Sequence, residues 1–159
     1  ALHGPDGLVL GVIYEPHLKE CFSAIRGEGA WLNEKPIRVS SASELSKTLL
    51  ATGFPYDDFG RQEAYMELLK DFTTNTRGIR RLGSAALDLA YVACGRCDAF
   101  YEYGLNPWDV AAGILIVEEA GGKVTGFQES DDPIFGADIL SSNGQVHEQL
   151  VKKIAFHKV

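Results

Sequence analysis

An α/β fold is what the 159 residues predict, on three observations. Short β-rich apolar runs alternate with segments of helical periodicity, several of the helical segments carry start and stop signals, and 45% hydrophobic against 23% charged residues is the balance of an ordinary globular domain. No repeat, linker or low-complexity stretch divides the chain, so one domain is expected. A chain of this length builds a core without disulfide or metal cross-links.

The first third reads as an antiparallel meander. His3-Gly4-Pro5-Asp6-Gly7 is a turn cluster. Residues 8–14 are almost continuously apolar, which predicts an interior strand covered on both faces and ended by Glu15-Pro16. Residues 21–25 are its antiparallel return, and 29–33 and 36–39 continue the meander. Residues 46–52 predict a further strand, broken by 53–58. Ala64, Tyr65, Leu68, Leu69 and Phe72 form an apolar stripe at helical spacing, placing a surface helix over about 61–72.

Residues 84–94 are good helix formers, apolar nearly all round except for Asp88, with Gly95 to cap the end, so this helix is largely buried. Residues 99–101 predict a strand. Asn106 then supplies an N-cap and Pro107 a first-turn proline for a helix reaching about Ala120, closed by Gly121-Gly122. Residues 123–125 and 139–141 predict strands around a polar loop, and an amphipathic helix covers 146–156.

With 15 basic against 22 acidic residues the net charge is −7, which argues against nucleic acid and anionic membranes as partners. No apolar run approaches a membrane span, and no basic-then-apolar leader opens the chain. Three cysteines, Cys21, Cys94 and Cys97, suit a reducing compartment, so a cytoplasmic location is expected. The start without Met, directly into a turn cluster, leads us to expect an excerpt of a longer protein.

Several familiar motifs fail their context tests. Gly27-Glu28-Gly29-Ala30 lacks the third glycine of a dinucleotide fingerprint and precedes a hairpin rather than a helix. Cys94-Gly95-Arg96-Cys97 sits at a helix C-terminus, where the dipole does not stabilise thiolate. No serine lies in a Gly-x-Ser-x-Gly context, and His3, His17, His147 and His157 read as solvated surface histidines.

Residues 102–109, Glu-Tyr-Gly-Leu-Asn-Pro-Trp-Asp, join a strand to a helix N-terminus, where open α/β sheets place ligands. Asp109 falls at about the third helical position, which an acid stabilises through the dipole and free N–H groups, so the ordinary reading of Asp109 is structural. Glu102 likewise reads as a solvated strand end. Gly83-Ser84-Ala85 opens the buried helix, where exposed amides serve as an N-cap or hold an anion or sugar hydroxyls.

The occurrence of these segments together, in this order, carries a resemblance. Gly83-Ser84-Ala85-Ala86-Leu87-Asp88-Leu89-Ala90, then Cys97-Asp98-Ala99-Phe100-Tyr101-Glu102, then Trp108-Asp109-Val110-Ala111-Ala112-Gly113 and Glu119-Ala120-Gly121-Gly122 closely resemble the C-terminal half of inositol monophosphatases. Upstream, Gly11-Val12-Ile13-Tyr14-Glu15-Pro16 and Leu49-Leu50-Ala51-Thr52-Gly53-Phe54-Pro55 are similar to the same family. The resemblance implies a layered α/β/α sandwich with a mixed sheet, the C-terminal half of an αβαβα fold. It implies a Mg2+-dependent, lithium-sensitive, dimeric phosphomonoesterase acting on inositol monophosphate or a similar small polyol phosphate by metal-activated water attack. By the same resemblance Asp109 is the catalytic metal ligand and touches substrate, Glu102 hydrogen-bonds a substrate hydroxyl, and Gly83, Ser84 and Ala85 line the substrate pocket.

One departure matters. The family's other metal ligands, a Glu-Glu pair and an Asp-Pro-Ile-Asp-Gly-Thr segment, have no counterpart in this chain. Residues 1–159 therefore read as the substrate-side C-terminal domain, inactive alone and lacking the N-terminal metal-binding domain. Related branches acting on histidinol phosphate, sugar bisphosphates or nucleotide 3′-phosphates remain alternatives, as does a non-catalytic regulatory homologue.

Overall fold

The computed structural model describes residues 1–55, 59–128, 130–136 and 138–159. Five strands form the first sheet: β1 (Leu2–Gly4), β2 (Gly7–Glu15), β3 (Glu20–Ile25), β4 (Gly29–Leu32) and β5 (Lys35–Pro36), antiparallel in chain order. The meander is as expected, but His3 and Gly4 belong to a strand paired with β2, and only Pro5-Asp6 turn. Nor is β2 covered on both faces. Gly11, Ile13 and Glu15 point inward while Leu10, Val12 and Tyr14 are exposed, and their cross-strand partners include the exposed Ile25. Continuous apolarity suggested two covered faces; the period-2 alternation of an antiparallel strand leaves one of them bare. Residues 37–39 do not extend β5, because the Val39 N–H turns away to donate to the Ala120 carbonyl.

The second sheet comprises β6 (Leu49–Thr52), β7 (Gly78–Arg80), β8 (Ala99–Tyr103), β9 (Lys123–Thr125) and β10 (Asp138–Ser142), ordered β7-β6-β8-β10-β9. It is mixed: β6 runs parallel to β7 and β8, and β10 antiparallel to β8 and β9. Ser46 and Lys47, expected inside the strand, belong instead to a short 3-10 turn, Leu45–Lys47. β7 is absent from the expected strands, because three residues are too short for alternation to register. The Tyr56-Asp57-Asp58 part of the expected break lies outside the described residues.

Helices α2 (Ala85–Ala93) and α3 (Pro107–Glu119) lie between the two sheets, while α1 (Gln62–Asn75) and α4 (His147–His157) pack together on the far side of the second. The second sheet with a helix pair on either face is the expected α/β/α sandwich, and the meander adds a layer outside it. The two hydrophobic clusters follow these layers. Phe22, Leu89, Phe100 and Ile116 fill the space around α2 and α3, and Tyr65, Leu68, Phe72, Tyr101 and Leu150 fill the space beneath α1 and α4. α1 runs three residues beyond the expected Phe72, with Asn75 bonded back to Asp71. His147 is a correction: it is fully buried, its ring bonded to Ser142 at 2.9 Å and Thr125 at 3.1 Å.

Candidate functional site

β6 and β8 are parallel neighbours, so their carboxyl ends leave the sheet at the same edge. The chain enters α2 through Gly83 at φ +95° and leaves β8 through Gly104 at φ +78°, backbone conformations that a side chain strains and glycine accepts. Both turns deliver a helix N-terminus to that edge, and a cavity of about 430 Å³ opens between them. Gly83, Ser84, Ala85, Glu102 and Asp109 all line it. Residues 26 positions apart in the chain, Gly83 and Asp109, are thus brought to one concave surface.

Asp109 is the third residue of α3, and its Oδ2 accepts the Asn106 N–H at 3.0 Å, the helix-capping arrangement expected from its position. Ser84 caps α2, its hydroxyl accepting the Leu87 N–H at 3.4 Å. Glu102 departs from the sequence reading. It is no solvated strand end but 6% exposed, packed so closely over Gly53 that a Cβ there would collide with its carboxylate. Burial pushes Glu102 up to about 7; the Arg81 guanidinium opposes that and the Asp109 charge adds to it.

The structure adds residues that the sequence did not assign to the site. Gly53 and Arg81 line the cavity, Trp108 stands 79% exposed at the start of α3, and Asp88 lines the cavity while only 1% exposed. Burial raises Asp88 to about 7, the Glu102 charge contributes, and Arg81 opposes. The signal for Asp88 was visible in the sequence: a lone carboxyl in an otherwise apolar helix has to meet something other than hydrocarbon.

Among the described residues no group of three or more His, Cys, Asp or Glu side chains is arranged to hold a metal ion. Asp109 alone offers one hard oxygen donor, which fits one ligand of a Mg2+ site and not the whole of it. Cys94 and Cys97 do not form a reactive pair. Burial raises both thiols, Cys97 to about 11, the reverse of thiolate activation. Among the described residues no helix is long and apolar enough to cross a membrane.

Comparison with known proteins agrees with this geometry. The model of the inositol monophosphatase family matches residues 2–158. An inositol-1-monophosphatase of Synechocystis sp. is 45% identical over 146 residues, 92% of this chain and 51% of that protein. A putative Nus factor SuhB of Neisseria meningitidis serogroup B is 46% identical over 146 residues, 92% of this chain and 56% of that protein. The structure of inositol monophosphatase from Anabaena (Nostoc) sp. superposes with a TM-score of 0.86 at 48% identity, covering 93% of this chain and 59% of that one. The chain thus spans little more than half the length of the relatives it matches. The match over nearly every residue, at these identities and with this fold, shows that the chain belongs to the inositol monophosphatase family.

Proposed function

We propose that this chain is the substrate-side, C-terminal domain of a Mg2+-dependent phosphatase that hydrolyses inositol monophosphate or a similar small polyol phosphate. The observation that carries the reading is the convergence of Glu102, the α2 N-terminus and Asp109 on one cavity at the carboxyl ends of β6 and β8. Glu102, buried and with its carboxyl fixed over Gly53, hydrogen-bonds a substrate hydroxyl. Gly83, Ser84 and Ala85 line the wall against which the polyol lies, and the helix end there favours the negative charge of its phosphate. Asp109, held by the Asn106 amide, is oriented to give one oxygen ligand to a metal whose remaining ligands are not gathered among the described residues. Bound Mg2+ would contribute Lewis-acid polarisation of phosphate oxygens and a water of lowered pKa.

In the full-length protein, Asp109→Asn should lower Mg2+-dependent turnover at least about 100-fold, beyond the 10–100-fold typical of outer-shell substitutions. A variant retaining most of its turnover would remove Asp109 from the metal site. Glu102→Gln should lower kcat/KM for inositol 1-phosphate by about tenfold, the worth of one charge-assisted hydrogen bond, and leave the Mg2+ concentration dependence in place.

A second reading has a specific basis: several of the similar relatives carry the name Nus factor SuhB. In that reading the fold serves a binding or regulatory role. Full-length protein that turns over none of inositol 1-phosphate, histidinol phosphate and a nucleotide 3′-phosphate in Mg2+ would favour it over the enzyme.

A further inference from the structure

Asp88 is the only charged residue of α2, four positions after the Ser84 cap, and it lines the cavity at 1% exposure. Its Oδ1 has no hydrogen-bond partner among the described residues. An acidic oxygen in that condition weakens the fold unless something else satisfies it. The neighbouring groups do not. Glu102, on β8, has the same sign, and the Cys97 thiol is close enough to be raised by the Asp88 charge. Arg81, the cation that acts on Asp88, belongs to the exposed segment before α2.

We propose that Asp88 is a second substrate-reading residue, its Oδ1 accepting a hydrogen bond from a polyol hydroxyl next to the one bound by Glu102. The inference rests on the polyol phosphate reading above and names what selects that class. Two carboxyls lining one cavity match two hydroxyl donors of one polyol. An aryl phosphate brings no such donor and leaves Oδ1 buried and unmatched, and sites built to bond a hydroxyl reject analogues lacking it strongly. The cavity holds both carboxyls because Gly53 leaves room for Glu102 and because α2 begins at the strand ends, which brings its first turn to the cavity. Replacing Asp88 by an apolar residue would suit the core better, so its presence there marks a stability cost retained for binding.

The test measures kcat/KM of the full-length protein for inositol 1-phosphate and for p-nitrophenyl phosphate, which has no polyol hydroxyls. Asp88→Ala should lower the ratio of the two by about tenfold, chiefly through KM for inositol 1-phosphate. Asp88→Asn keeps the volume and one carbonyl acceptor; its ratio should fall by about threefold, and it serves as the folded variant, checked by circular dichroism, should Ala loosen α2. A ratio within about twofold of wild type in a folded variant overturns the role, whether both rates fall together or neither does; a buried water satisfying Oδ1 would give that result. Wild type that shows no preference for inositol 1-phosphate overturns the substrate class itself, whereas a preference that both variants retain overturns only Asp88.

Discussion

Asp88 and Glu102 are both raised to about 7 in the folded protein, from ordinary values near 4, chiefly because burial penalises their ionised forms. The native state therefore binds more protons than the unfolded state between pH 4 and 7, and stability falls as pH rises through that window and levels above it. Melting temperatures measured across pH 4.5 to 8 should show the decline, and Asp88→Asn should flatten it by removing one of the two groups, a difference on the order of 2 kcal/mol at pH 8. A variant with the wild-type slope would mean that Asp88 is not ionising in the cavity. Gly53 belongs to the same residue-scale logic. Gly53→Ala puts a methyl where the Glu102 carboxylate now lies, and the flexible end of Glu102 yields sooner than the backbone. The full-length variant should lose about tenfold in kcat/KM for a polyol phosphate, as Glu102→Gln does, with little change in melting temperature.

At the scale of elements, close approach and charge clamps decide how helices sit. Gly11 on β2 faces α3 so closely that a Cβ would lie 2.7 Å from the Ala112 carbonyl oxygen. The neighbour is backbone and cannot swing aside, so Gly11→Ala should destabilise by about 1–3 kcal/mol, read from denaturant unfolding. On the opposite side, α1 and α4 are tied by Asp71, which accepts from Lys153 at 2.9 Å and from His157 at 2.9 Å. Burial pushes Asp71 up, but the hydrogen bonds from Lys153, His157 and Asn75 outweigh it and hold the carboxyl below its ordinary range. That contribution is present above the unfolded pKa and is lost as pH falls through the lowered folded value. Because Lys153 is partly exposed, Asp71→Asn should cost only about 0.5–1 kcal/mol at pH 7, and progressively less as acid protonates Asp71 in the folded protein. Helices α2 and α3 were legible because their boundaries are written locally, in Ser84, in Asn106-Pro107 and in Gly95 and Gly121. β1 and β7 were not, since three-residue strands exist by virtue of the neighbours they pair with.

For the molecule as a whole, the acid surplus of 22 over 15 basic residues does not draw a phosphate by bulk charge, and in the proposed function that task falls to bound metal. The described residues offer no three-ligand group, so millimolar Mg2+ should shift the melting temperature of the 159-residue chain by less than about 1 °C. A larger shift would reveal a metal site held within these residues. The sequence by itself determined the α/β class and the bounds of α2 and α3, because caps, glycines and apolar periodicity are local in the chain, whereas Glu102, Asp109 and the Gly83-Ser84-Ala85 turn became candidates through the family resemblance. Only the tertiary structure decided that β2 keeps one bare face, that His147 is core, and that Glu102 and Asp88 share a buried cavity wall. Those outcomes depend on which surfaces meet across the sheet edge, and a carboxyl on β8 comes to feel one on α2 only when packing has removed the water between them.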